Sequence, residues 1–226
     1  MLLKVQDYTN GEVHPGSKEL LEHVTNFVNP PLLFNQDGWN KWGVMGLLAD
    51  FVLTYAQGDM VEIGIGESSY YFTHLAKKFN RNVYHCDIQR SDYENLCTVD
   101  GFFSDDNLLY HGSSTDFFKE IELPSIALGF IDGDHLHEQV EEDFNNLLPY
   151  MVDNGFIFFH DLFPADEGET AENRSGDGYI FRKKLERRND IDVFTFPFTA
   201  WNAGLTMVRK IPVNEIIYRR SGRDVK

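Results

Sequence analysis

Between Met60 and Tyr70 the chain passes from an apolar run, Met60-Val61-Glu62-Ile63, through Gly64-Ile65-Gly66 to Glu67-Ser68-Ser69-Tyr70. A helical pattern carrying Tyr71, Phe72, Leu75 and Ala76 follows. This order predicts a strand, a tight turn and a helix start. Glycines at 64 and 66 open conformations closed to other residues and admit a ligand close to the main chain. Ser68 and Ser69 can cap the helix, whose first N–H groups favour an anion or a carboxylate. Two readings stand at this point: an ordinary turn, or a nucleotide-like cofactor site involving Gly64, Gly66 and Ser68.

The next apolar run, Asn82 to Asp87, predicts a second strand ending in an acid about 20 residues beyond the glycines, where a carboxylate takes both ribose hydroxyls. Asp87 is therefore the candidate ribose ligand. Further strands are predicted at Asn107 to His111, at Ile126 to Ile131 and at Phe156 to Phe159, the fourth with the continuous apolar character of a strand covered on both faces. Weak patterning suggests a helix within Ser91 to Phe103, and Gly112-Ser113-Ser114-Thr115 leads into another bearing Phe117 and Phe118. The helix after Asp132-Gly133-Asp134-His135 sets Val140, Phe144, Leu147, Leu148 and Met151 on one face and Glu138, Glu141, Glu142 and Asp143 on a solvated one, with Asp153-Asn154-Gly155 as its stop. Pro164 to Gly178 reads as a substrate loop or a plain connection. A helix at Tyr179 to Arg188 then precedes a terminal pair, Asp192 to Phe198 and Gly204 to Lys210.

Strands alternating with helices predict an α/β architecture: a Rossmann-like, mostly parallel seven-stranded sheet with an antiparallel terminal strand pair and helices on both faces. Upstream, residues 1–17 read as irregular, and Lys18 to Val28 and Asn40 to Ala56 as helices. Residues 1–58 are thus expected to form a helical extension packed on the core, and residues 59–226 the Rossmann-like domain.

Charge narrows the function. Thirty-six acidic against 20 basic residues give a net charge of −16, which repels phosphate backbones and anionic bilayers. No nucleic-acid partner and no membrane partner are expected. Two cysteines, Cys86 and Cys97, make no disulfide framework, and no apolar stretch reaches the roughly 20 residues of a bilayer span or forms a secretory signal. The expected location is cytoplasmic.

In an open α/β sheet ligands gather outside the carboxyl ends of the strands, where this reading places Gly64, Asp87, Ser113, Asp132 and Asp161. Asp132 and Asp161, ending adjacent strands, can hold one hard divalent ion such as magnesium, with Asp134 or His160 nearby. Such an ion lowers the pKa of a bound hydroxyl. His135 is the first candidate for a general base, with a helix anchor as the alternative reading. His160 has a similar claim as base, or serves as a metal ligand. His85 is read as a sheet position.

A nicotinamide dehydrogenase prefers Gly-x-Gly-x-x-Gly, whereas Glu62 here lies two residues before the first glycine and Ser69 stands where the third would be. The Glu-x-Gly-x-Gly pattern, with a strand ending in Asp87, resembles the class I S-adenosylmethionine-dependent methyltransferases. Phe130-Ile131-Asp132-Gly133-Asp134-His135 with Phe159-His160-Asp161 resembles the branch that includes macrolide-sugar O-methyltransferases and cephalosporin-hydroxylase-like proteins. The resemblance runs from about Val61 to Lys210. It implies that Glu62 organises the glycine loop and the cofactor's amino-acid end, that Asp87 binds ribose, that Ser113 lies near the adenine, and that Asp132 and Asp161 bind a divalent metal. Where some relatives carry a second acid before the last one, this chain has His160. The implied activity is methylation of a small hydroxylated acceptor, sugar-like or a natural product, with S-adenosylmethionine as cofactor and magnesium as the candidate ion. A repurposed, non-catalytic Rossmann-like nucleotide-binding protein is the alternative. A homodimer through the N-terminal aromatic helices completes the expectations.

Overall fold

In the computed structural model of the protein, residues 2–4, 34–35, 38–39, 41–89, 107–164, 175–196 and 204–221 are described. Ten strands run in chain order among them: β1 (Leu2–Lys4), β2 (Phe34–Asn35), β3 (Gly38–Trp39), β4 (Asp59–Ile63), β5 (Val83–Asp87), β6 (Asn107–His111), β7 (Ile126–Ile131), β8 (Met151–His160), β9 (Ile191–Phe196) and β10 (Leu205–Lys210). The helices are α1 (Lys41–Tyr55), α2 (Glu67–Phe79), α3 (Ser114–Glu120), α4 (His137–Leu147), α5 (Tyr179–Leu185) and α6 (Val213–Ser221).

One sheet takes the order β1-β6-β5-β4-β7-β8-β10-β9, and β2 pairs with β3 apart from it. Strands β6, β5, β4, β7 and β8 are parallel neighbours. Strand β10 runs antiparallel to both β8 and β9, which is the expected terminal pair. The eighth strand is β1, antiparallel to β6 with Leu3 opposite Leu109. Sequence reading left these residues irregular, because three residues are too few to display a period of two.

The chain leaves β4 toward β5 and β6 and returns to β7 on the other side of β4. This reversal opens a crevice at the carboxyl end of β4. All six residues of β7 are buried, as a strand covered on both faces requires. One covering layer is α1 and α2, through Met45, Ala49, Val52, Leu53, Phe72 and Leu75. On the opposite face lie Phe117 of α3, Phe144 and Leu147 of α4, and Phe181 and Leu185 of α5. Tyr71 joins α2 to α1 by donating its hydroxyl to the Gly46 carbonyl at 2.6 Å.

Three local differences from the sequence reading have physical causes. The helix expected to reach Met151 ends at Leu147; a 3₁₀ turn, Leu148–Tyr150, follows, with Pro149 in it. Proline lacks the N–H that an α-helix interior needs. Met151 instead opens β8, which carries a bulge: Ile126 faces Met151 but Leu128 faces Phe156. In addition, α1 is apolar beyond its core-facing side, so that Leu47, Phe51 and Tyr55 stay exposed while Met45, Ala49, Val52 and Leu53 are buried. The helices expected within 18–28 and 91–103 lie outside the described residues.

Phe130 is fully buried, with its ring 5.6 Å from that of Phe72. Phe130→Ala should cost about 3–5 kcal/mol of unfolding free energy, measured by urea denaturation. Val213→Ala, at a 68 % exposed site, should change it by less than about 0.5 kcal/mol.

Candidate functional site

The turn after β4 is shaped by contacts beneath it. Gly64 sits at φ +92°, and a Cβ there would lie 2.2 Å from the Asp132 carbonyl oxygen, so both conformation and space demand glycine. Gly66 is different. Its φ of −170° is open to any residue, and a Cβ would meet nothing within 4 Å. The expectation that Gly66 supplies an unusual conformation therefore fails; its small size leaves room for a ligand.

Glu62 is completely buried, with no exposed surface. Its carboxylate accepts from Ser68 Oγ at 2.5 Å and Ser69 Oγ at 2.6 Å, and meets His85 Nδ1 at 2.6 Å. Behind His85, Nε2 lies 3.3 Å from Asn107 Oδ1, which also accepts from Thr73 Oγ1 at 3.4 Å. Ser69 Oγ accepts from the Gly66 N–H at 3.1 Å, so the residue at the third-glycine position caps α2 from inside. Ser68 is turned into this network and away from the cleft. The signal that could have revealed His85 was register: it stands beside Glu62 on adjacent strands.

Above this layer the carboxyl ends of β4 to β7 enclose a cleft of about 430 Å³ whose lining includes Gly64, Asp87, Ser113 and Asp132. Four expected residues are thus brought together. Asp87 accepts from the Ile65 N–H at 2.7 Å and the Gln89 N–H at 2.6 Å. Ser113 caps α3 by accepting from the Asp116 N–H at 3.1 Å, so the bland explanation for it holds while it also lines the cleft. Ile88, 68 % exposed, offers the cleft an apolar surface. Among the described residues, every ionisable side chain of the lining except the Cys86 thiol is an acid: Asp87, Asp132, Asp134 and Asp143.

Asp143 was read as part of a solvated face and is in fact buried, at 1 % exposure. Its spacing from Val140 and Leu147 places it on the inner stripe of α4, a signal outweighed by the neighbouring glutamates. Gln139 Nε2 bridges Asp143 Oδ1 at 3.0 Å and Ser114 Oγ at 3.2 Å. Burial pushes the Asp143 carboxyl up to about 6, with Glu142 and Asp134 adding to the rise and hydrogen bonds from Ser114 and Gln139 opposing it.

Beside the cleft, two acids and two histidines meet where β7 and β8 end. His160 Nδ1 lies 3.1 Å from Asp132 Oδ1 and 3.1 Å from Asp161 Oδ1. His135 Nε2 is 3.4 Å from Asp132 Oδ1, and its Nδ1 is 4.0 Å from Asp161 Oδ2. Burial alone would raise the Asp132 carboxyl, yet the two histidines hold it well below the usual carboxylate range. Burial likewise opposes charge on His160, while Asp132 and Asp161 push it up to about 9. Asp132, His135 and Asp161 each offer one ligand atom within 4.8 Å of the others, so the donor set fits a divalent cation.

A turn at residues 175–178 clasps this corner. The Gly178 N–H donates to the His135 carbonyl at 3.0 Å, and Asp177 accepts from the His137 N–H at 2.6 Å and meets its Nδ1 at 2.8 Å. Sequence reading missed this clasp and Ile88, which lie in loops joined only by the fold, and Gln139, whose position in α4 carries no signal of its own for the cleft. Of Pro164 to Gly178, read as a substrate loop or a plain connection, residues 165–174 lie outside the described residues.

Residues 61–162 match the family model described as a methyltransferase domain. No curated protein matches the sequence. Among solved structures, an O-methyltransferase from Bacillus cereus in complex with SAH is 13 % identical with a TM-score of 0.60, over 91 % of this chain and 99 % of that one. An SAH-bound methyltransferase from Podospora anserina is 17 % identical with a TM-score of 0.60, over 90 % and 91 %. A protein from Corynebacterium glutamicum is 15 % identical with a TM-score of 0.60, over 92 % and 94 %. At these identities the structural likeness is one of fold.

An acid with a raised native pKa binds protons more tightly folded than unfolded, so its ionisation destabilises the fold as pH rises through the native value. Asp143→Asn should therefore gain stability over the parent protein between about pH 4 and 6.5, by on the order of 2 kcal/mol. Thermal melts of both proteins across that window provide the check.

Proposed function

We infer that this chain, which carries a methyltransferase domain over residues 61–162, transfers the methyl group of S-adenosylmethionine to a hydroxyl oxygen of a small, uncharged or cationic acceptor such as a sugar-like metabolite. The observation that carries the reading is the convergence of Gly64, Asp87, Ser113 and Asp132 on one cleft at the switch point of the sheet. Its volume is in the range of small-ligand sites. The cofactor supplies an activated sulfonium methyl, which needs only a positioned nucleophile.

The protein's part is placement and proton removal. Asp87, fixed by two backbone N–H groups, would take the ribose hydroxyls. Ile88 and Ser113 would flank the adenine, and the loop at Gly64 and Gly66 would receive the amino-acid end. Asp132 and Asp161 would hold a divalent cation that lowers the pKa of the acceptor hydroxyl. His135 is the base we favour, because it is the more exposed histidine of the cluster, at 28 % against 13 % for His160. With Nε2–H donating to Asp132, the neutral ring carries its lone pair on Nδ1, which accepts the hydroxyl proton; Asp132 then stabilises the resulting imidazolium. The acidic lining disfavours phosphorylated acceptors and nucleic acid.

Calorimetric titration with S-adenosylmethionine and with SAH, its demethylated product, tests the reading. Both should bind, and Asp87→Ala should weaken binding at least tenfold with the melting temperature recorded to exclude unfolding. Absence of wild-type binding, or unchanged affinity in a folded Asp87→Ala protein, would overturn the cofactor assignment. Binding without SAH formation across a panel of hydroxylated acceptors would favour a repurposed nucleotide-binding protein.

A further inference from the structure

We propose that the cation site at the ends of β7 and β8 is a mixed nitrogen–oxygen site, with His160 as a ligand beside Asp132 and Asp161, and that it takes a borderline transition ion of the Mn²⁺, Co²⁺ or Zn²⁺ class in preference to Mg²⁺. The inference rests on the reading of the two acids as cation ligands given above, and it names the ion they serve.

Two donors bound at right angles to one such ion, each about 2.0–2.2 Å from it, are about 2.8–3.1 Å apart. His160 Nδ1 stands 3.1 Å from Asp132 Oδ1 and 3.1 Å from Asp161 Oδ1, so a single ring nitrogen faces both carboxylates at ligand spacing. His135 does not do this. One of its nitrogens lies within 4.8 Å of a carboxylate oxygen of each acid, but its closest approaches use different nitrogens, Nε2 toward Asp132 at 3.4 Å and Nδ1 toward Asp161 at 4.0 Å. That separates the two histidines by role: His160 as ligand, His135 as the neighbouring base.

The three ligand side chains are sheltered, with exposures of 13 % for His160, 17 % for Asp161 and 21 % for Asp132, and Asp132 also lines the cleft. An ion among them would lie at the cleft wall, within reach of an acceptor oxygen. Magnesium keeps oxygen ligands in near-ideal octahedral geometry and gains little from an imidazole. Borderline ions gain substantially from one nitrogen donor. Two carboxylates and one neutral imidazole also balance a divalent charge.

The test uses the full chain, stripped with a chelator and titrated with Co²⁺, Zn²⁺, Mn²⁺ and Mg²⁺ by calorimetry, with the visible d–d absorption of bound Co²⁺ as a second readout. Most protein sites rank Zn²⁺ above Mg²⁺, so ranking alone decides nothing. The nitrogen's own contribution does. Wild type should bind one Co²⁺, and Asp132→Asn should abolish the signal. His160→Ala should weaken Co²⁺ at least about tenfold while changing Mg²⁺ little, and should move the absorption bands. His160→Asp should restore binding with the Co²⁺-to-Mg²⁺ affinity ratio reduced at least about tenfold, and His135→Ala should keep the wild-type ratio. No saturable divalent binding by wild type, an unchanged ratio in folded His160→Asp, or loss of the ratio in His135→Ala would overturn the proposal. S-adenosylmethionine titrated in the presence of chelator reports on the cofactor reading separately, so failure of one is distinguishable from failure of the other.

Discussion

A buried carboxylate with no exposed surface is the constraint from which the site follows. Glu62 stands in the middle of the sheet, where an unpaired charge would be prohibitively costly, and three short contacts compensate it: two serine hydroxyls from the first turn of α2 and the imidazole of His85 from β5. The compensation is also the architecture. By drawing Ser68 and Ser69 down, Glu62 fixes where α2 begins, and the Gly66 N–H is closed onto Ser69 in the same motion. The chain between Ile63 and Glu67 is therefore bent over a rigid support, and its upper surface is free to be a ligand surface. A hydrophobic residue at 62 could fill the space but could not set the position of the helix start.

A second consequence of the topology is electrostatic. Parallel strands that exchange neighbours at one point deliver their terminal side chains to one place, and here those terminal residues are acids at the ends of β5 and β7 and just beyond β8. The field of the cleft is negative before any ligand arrives. Two histidines, His135 and His160, meet the acids at the corner between β7 and β8. The cleft and the corner between β7 and β8 are thereby given different electrical characters by the order of strands.

Much of this was legible in the sequence, and the boundary is physical. Gly64, Asp87 and Asp132 could be placed because strand ends are marked by a change from apolar to small or acidic residues, and strand ends are where such a sheet binds. Order along the chain carried that information. What could not be read depended on neighbours remote in sequence. Ser68 looked like a ligand contact because its partner, Glu62, becomes visible only when α2 is folded back on β4. Asp143 was hidden among glutamates whose exposure is set by the same helix turn that buries it. The bulge in β8 arises after Pro149 cuts the helix short, and hydrophobic pattern alone assigned Met151 to the helix because either element would bury it.

The two backbone N–H groups that hold Asp87 have an effect best seen by counting lone pairs. Ile65 takes one on Oδ2 and Gln89 takes one on Oδ1, which leaves one acceptor direction open on each oxygen of a carboxylate that no longer rotates. A frozen pair of acceptors side by side matches a vicinal diol. A deoxyribose fills only one of the two directions, and a 2′-phosphate brings negative charge against both. On the ribose role proposed for Asp87, discrimination among nucleosides would rest on two backbone N–H groups, one in the glycine turn and one just after β5, and the rotational entropy that a mobile aspartate would lose on binding has already been lost on folding.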